Sequence, residues 1–120
     1  MKLYVARSSS FDYQTELYAP LKRSLAQNHE ILFPHDAQNV SIKSRDIIAQ
    51  SDVVLAEVSY PPTGQGIELG WADANDVPII CFYKAGARIS SSLQFVSELM
   101  IEYVSPEDMI EQLESYLASR

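Results

Sequence analysis

Asp52-Val53-Val54-Leu55-Ala56-Glu57-Val58 (DVVLAEV, residues 52–58) is the stretch that decides the fold of this chain. So continuous an apolar run reads as a strand covered on both faces, the mark of a central strand in a parallel sheet. Pro78–Tyr83 (PIICFY) has the same character. Working outward, Lys2–Ala6 is a short strand, Glu30–Phe33 a second one stopped by Pro34, and Met100–Val104 a last one. Helical stretches lie between them. Thr15–Gln27 carries Leu17, Leu21 and Leu25 at helical spacing, with Pro20 in an early turn where proline is tolerated. Ile42–Gln50, Gly66–Ala74 and Ser91–Glu98 are further helices. Ser105-Pro106-Glu107-Asp108 opens a terminal helix with a hydroxyl cap, a proline at the first position and acids in the first turn.

Five strands alternating with five helices predict an α/β fold, a doubly wound five-stranded parallel sheet. Right-handed connections leave few topologies, and the flavodoxin-like (Rossmann-like) order 2-1-3-4-5 is the one expected. With 120 residues there is room for one core, so residues 1–120 form a single domain. Apolar residues at 47% and charged residues at 21% are ordinary globular usage. No apolar run approaches the roughly 20 residues a bilayer span needs, and Arg7 cuts off the N-terminal run. Neither a membrane segment nor a signal peptide is expected. Cys81 is the one cysteine, so no internal disulfide forms, which fits a cytoplasmic protein. Net charge is −7, with no basic cluster longer than Lys22-Arg23. Duplex nucleic acid and anionic membranes are therefore not expected partners. A small ligand carrying one phosphate is compatible with this balance, because backbone amides can hold it.

In a sheet of this order ligands sit at the carboxyl ends of the strands, where the winding reverses between strands 1 and 3. That brings together the loops Arg7–Asp12 and Ser59–Gly66. The second continues Ser59-Tyr60-Pro61-Pro62-Thr63-Gly64-Gln65-Gly66-Ile67-Glu68-Leu69-Gly70-Trp71-Ala72. Gly64 and Gly66 let backbone approach a ligand at a helix start. They do not make a dinucleotide fingerprint, since a third glycine is off-register and a phosphate site would not want Glu68 in the first turn. A carboxylate there faces the positive end of the helix dipole and stays ionised. Aimed into the crevice, Glu68 is a nucleophile or a partner for a developing cation; aimed outward, it merely stabilises the helix.

The stretch DVVLAEVSYPPTGQGIELGWA (52–72) resembles the signature of the nucleoside 2-deoxyribosyltransferase family, including its 2'-deoxynucleoside 5'-phosphate N-hydrolase relatives. LYVA at the start and VPIICFYKAGARISSS after the helix extend the resemblance over most of the chain. The resemblance implies that Glu68 attacks the anomeric carbon, expels the base and forms a glycosyl ester, resolved by water or a second base. It implies that Tyr4 lies beside Glu68. The family's base-contacting aspartate falls by strict spacing on Ser44, with Asp46 two residues later as the acid that can serve. Pro62 stands where the hydrolases hold the 5'-phosphate with a serine and the transferases hold the sugar with an aspartate. Thr63, the Gly64 and Gly66 amides, or Arg7 would then have to supply the phosphate contact, with Ser8 beside them. Ser91, with Arg88 nearby, matches a serine that reaches the neighbouring subunit's site, implying a homodimer or larger assembly. His35 follows strand 2 on the same edge and lines the base pocket in this reading. No metal or cofactor is expected, since no second ligand stands at metal spacing from His35.

Two further readings compete. One is a nucleoside- or nucleotide-binding module of weak or no activity on the same fold, favoured by the missing sugar acid and phosphate serine. The other is a flavodoxin-type FMN carrier, whose Ser/Thr-rich loop Ser8–Ser10 only faintly echoes and which leaves Glu68 unexplained.

Overall fold

The computed structural model describes residues 1–34, 42–60 and 62–120. Its strands are β1 (Lys2–Ala6), β2 (Glu30–Leu32), β3 (Val53–Glu57), β4 (Ile79–Lys84) and β5 (Leu99–Tyr103). All neighbouring pairs are parallel, in the order β2-β1-β3-β4-β5. The expected topology is the one observed. All five residues of β3 are buried, as its apolar run requires of a strand covered on both sides.

Side-chain alternation along the strands splits the core of the domain into two apolar layers, one on each face of the sheet. On one face Leu3, Val5, Val53, Leu55, Ile80 and Phe82 pack against Leu17, Leu21 and Leu25 and against α4 (Pro106–Ser119) through Met109, Leu113 and Leu117. On the other face Tyr4, Ala6, Val54, Ala56, Ile79 and Cys81 pack against Ile48 of α2 (Ile42–Ala49) and against Leu69 and Ala72 of α3 (Thr63–Ala74). Tyr4 therefore looks toward the two helices that carry the candidate site residues. Burial pushes the Cys81 thiol up to about 11, so it is a core group rather than a reactive one.

Several boundaries differ from the sequence expectation. The stretch expected as one helix over Thr15–Gln27 is a π turn (Gln14–Tyr18), a short helix α1 (Ala19–Arg23) and a 3₁₀ turn (Leu25–Gln27). Pro20 has no N–H for the preceding turn, so a regular α ladder cannot run through it. Ser91–Glu98 shortens to a 3₁₀ turn over Ser91–Phe95. Helix α3 starts at Thr63 rather than Gly66, with extended Pro62 as its cap residue. Glu68 consequently sits in the second turn, where the dipole is weaker than the first-turn placement implied. α4 begins as expected: Ser105 accepts from the Asp108 N–H at 3.1 Å, and the Asp108 carboxylate accepts from the Val104 N–H at 3.0 Å. Among the described residues no helix is long and apolar enough to cross a membrane.

Candidate active site

Glu68 is 8% exposed and Tyr4 is 1% exposed. The Tyr4 hydroxyl donates a hydrogen bond to Glu68 Oε2. β1 supplies Tyr4 from the strand beside β3, and α3, which follows β3, supplies Glu68; adjacency in the sheet makes the contact. Burial raises the pKa of Glu68, while the Tyr4 hydrogen bond and the charge of Arg7 pull it back down. Burial also drives Tyr4 far above the ordinary phenol range, and the Glu68 charge adds to that. Tyr4 is thus a neutral donor at any physiological pH. The Ser44 side chain on α2 hydrogen-bonds to Tyr4 as well. Ser44, Tyr4 and Glu68 form a chain across β1, α2 and α3.

Arg7, the first residue beyond β1, is 3% exposed. Its Nε donates to the Tyr18 hydroxyl at 2.8 Å and its Nη2 to the Pro34 carbonyl at 2.6 Å. The guanidinium lies over the Tyr13 ring, 3.6 Å from its centroid. Ser8 is 1% exposed, and its hydroxyl accepts from the Ser10 N–H at 3.0 Å, which shapes the loop. On the β3 side of the crevice Thr63 and Gly66 are exposed and Gly64 half-buried, and the cap residue Pro62 makes no side-chain hydrogen bond to the first amides of α3. A Cβ at Gly66 would meet nothing within 4 Å, so that face of the turn is open.

Asp46, Arg88 and Ser91 make no hydrogen bond to Glu68. Asp46 lies on the outer side of α2, with its side chain 63% exposed and 4.0 Å from Arg45. Ser44, at the strict family spacing, is the α2 residue that reaches Tyr4. Arg88 and Ser91 are exposed on the segment after β4. His35 falls outside the described residues. Among the described residues no three His, Cys, Asp or Glu side chains gather as a metal site.

Two residues that the sequence reading did not single out hold the crevice together. Gln65 is 4% exposed, and its Nε2 donates to the Ala6 carbonyl at 3.2 Å and the Glu57 carbonyl at 2.6 Å. It ties the carboxyl ends of β1 and β3 beneath the site. Glu57 is 0% exposed and takes the Ser59 N–H at 2.7 Å, the Ser59 hydroxyl at 2.9 Å and the Tyr103 hydroxyl. An acid inside the apolar run 52–58 was the available signal for it.

The doubly wound parallel sheet, with a buried tyrosine–glutamate pair at its switch point, places the chain among small α/β proteins. Its fold matches a solved CMP N-glycosidase of Clostridium botulinum at TM-score 0.72 and 20% identity, over 97% of this chain and 99% of that one. A receiver domain from Vibrio parahaemolyticus shares the fold at TM-score 0.60 and 12% identity, over 98% of this chain and 86% of that one. No protein-family profile matches the chain. Sequence relatives narrow the class. A Trichoplax adhaerens protein described as a 2'-deoxynucleoside 5'-phosphate N-hydrolase is 33% identical over 92 residues, 66% of this chain and 64% of that protein. The mouse 5-hydroxymethyl-dUMP N-hydrolase is 42% identical over 55 residues, 43% of this chain and 32% of that protein. The matches thus span under two thirds of these relatives' own lengths. These relatives bear out the resemblance to the nucleoside 2-deoxyribosyltransferase family, including its 2'-deoxynucleoside 5'-phosphate N-hydrolase relatives.

Proposed function

We propose that the chain hydrolyses the N-glycosidic bond of a 2'-deoxynucleoside 5'-monophosphate through a covalent intermediate on Glu68. One observation carries the reading: the Glu68 carboxylate is buried at the switch point with Tyr4 as its hydrogen-bond donor. The relatives' names support hydrolysis over base exchange and a phosphorylated substrate. Tyr4 holds Glu68 Oε2, leaving the other oxygen to attack the anomeric carbon as positive charge grows on the sugar ring. Burial keeps water from competing for the carboxylate, and the Tyr4 bond and Arg7 charge limit the rise in its pKa. The open amides at the start of α3, with Thr63, Gly64 and Gly66, receive the 5'-phosphate in place of the serine that Pro62 replaces.

In this reading the chain works in the cytoplasm as a homodimer. Exposed Ser91 and Arg88 of one protomer complete the site of its partner. Light scattering across a dilution series tests the assembly, and a monomer retaining full activity at nanomolar concentration rejects it. A second reading, a nucleotide-binding module without turnover, draws support from outward-facing Asp46 and from Pro62, which has no N–H to offer. Free base measured after incubation with deoxynucleosides and their monophosphates separates the two. Release by wild type but not by Glu68→Ala is the expected result. Tight binding with no release from any substrate overturns the hydrolase.

A further inference from the structure

Arg7 carries an unanswered demand. Three contacts immobilise its guanidinium: Tyr18, the Pro34 carbonyl and the Tyr13 ring. Its Nη1 is buried and has no hydrogen-bond partner among the described residues. Among the described residues no carboxylate stands within 4.0 Å of it, so the buried cation has no ion pair with any of them. An unmatched buried charge and an unmade buried N–H are both costly, and folded proteins keep them where a ligand supplies the partner. The guanidinium is a planar fork in which Nε and Nη2 share one edge. With that edge held by Tyr18 and Pro34, Nη1 is the nitrogen left for something outside the protein.

Position and charge say what that is. Arg7 leaves β1 and is anchored at the end of β2, whereas the amides of α3 open on the β3 side of Glu68. A nucleotide with its anomeric carbon at Glu68 has two arms, a phosphate and a base. If the helix start takes the phosphate, the base lies toward Arg7. When Glu68 attacks, a C–O ester bond forms and the C–N bond breaks, its electron pair passing to the base nitrogen. The carboxylate's charge disappears as a negative charge appears on the base. A fixed cation nearby loses one anion and gains another.

Resting on the reading of Glu68 as nucleophile, we propose that Arg7 stabilises the departing nucleobase, with Nη1 donating to the acceptor beside the glycosidic nitrogen. That acceptor is the 2-oxo group of a pyrimidine or N3 of a purine. The base anion then takes a proton from water, and a second water hydrolyses the ester, freeing the sugar phosphate and restoring the Glu68 carboxylate. Arg7 does the work by charge and hydrogen bonding that a proton donor would otherwise do.

A leaving-group series tests this. Wild type, Arg7→Gln and Arg7→Lys are assayed on deoxyuridine 5'-monophosphate and on its 5-fluoro and 5-nitro analogues, whose bases are progressively better anions. Arg7→Gln is expected to lose about 100-fold in kcat on the plain base, the scale of removing one preorganised donor. The loss shrinks to a few-fold on the 5-nitro base. Arg7→Lys, which keeps the charge without the fork, falls between and carries the test should Arg7→Gln fail to fold by circular dichroism. An equal loss across the series in an active enzyme overturns the role of Arg7 alone. So does a loss confined to KM for phosphorylated over unphosphorylated substrates, which marks a phosphate anchor. No base release by wild type from any substrate removes the Glu68 reading, and this inference with it.

Discussion

The chain buries two glutamates at the carboxyl edge of one sheet, each with a tyrosine hydroxyl on it, and they are opposites. Glu57, at the end of β3, has both oxygens engaged by Ser59 and Tyr103. Glu68, on α3, has Tyr4 on one oxygen. A carboxylate surrounded by donors is a structural knot, since every lone pair it uses on the protein is unavailable to a substrate. A buried carboxylate with one donor among the described residues has capacity to spare in a place where desolvation makes that capacity reactive. Saturation, more than burial or residue type, distinguishes the acid that holds the fold from the acid that is poised for chemistry.

The sharpest way to break this comparison is to truncate each acid in turn. Glu68→Ala is expected to lower base release by at least about 1,000-fold with the melting curve little changed, as removal of a covalent nucleophile does. Glu57→Ala leaves three buried donors without an acceptor and is expected to cost about 3–5 kcal/mol of stability. Any fall in activity there should follow the folded fraction. Urea titration alongside the base-release assay reads both numbers. Were Glu57→Ala to lose turnover while keeping its stability, the assignment of the two roles would be reversed.

Tyr4 comes next in size. Tyr4→Phe removes a hydrogen bond that pulls the Glu68 pKa downward, so the acid limb of the kcat profile should move to higher pH. Rate at the optimum is expected to fall about 10- to 100-fold. A loss of rate with no movement of the acid limb would mean that Tyr4 serves the substrate rather than Glu68. On α2 the corresponding contrast is between Ser44, which hydrogen-bonds to Tyr4, and Asp46, which faces solvent. Ser44→Ala should slow release a few-fold with a small shift of the same limb, and Asp46→Asn should leave kcat/KM within about twofold. A large effect from Asp46 would restore it as the acid for the leaving base.

These contrasts follow what the sequence makes legible. The sheet order is legible because the apolar runs at 52–58 and 78–83 can only be central strands, and short right-handed connections do the rest. Glu68 and Tyr4 are legible through the GQGIELG segment and the strand before it. The register of α2 is not, because eight residues of weak amphipathicity leave the facing side undecided between Ser44 and Asp46. Nor is the network of Gln65, Glu57 and Tyr103, whose members come from three separate elements and meet only when the sheet closes. Arg7 illustrates the same limit. From sequence it is a cation in a serine-rich loop, and its burial depends on Tyr13 and Tyr18 in a turn that Pro20 distorts.

The smallest expected effect bears most directly on the difference between the two acids. Burial raises the folded-state pKa of Glu68 above its ordinary value of 4.5, so the folded protein holds that proton more tightly than the unfolded chain. Its contribution to stability is therefore complete below about pH 4.5 and is lost as pH rises through the folded value. Glutamine keeps the carbonyl that Tyr4 needs and never ionises. Glu68→Gln should match wild type near pH 4 and exceed it by about 1 kcal/mol at pH 8, the usual scale of relieving a destabilised active-site group. Glu57→Gln should show no such gain at pH 8, because the new amide N–H₂ faces the donors of Ser59 or Tyr103 and loses a bond that the carboxylate makes. Thermal melts of both variants at pH 4, 6 and 8 read the difference. A Glu68→Gln increment that is flat across pH would show that Glu68 is not strained by its burial.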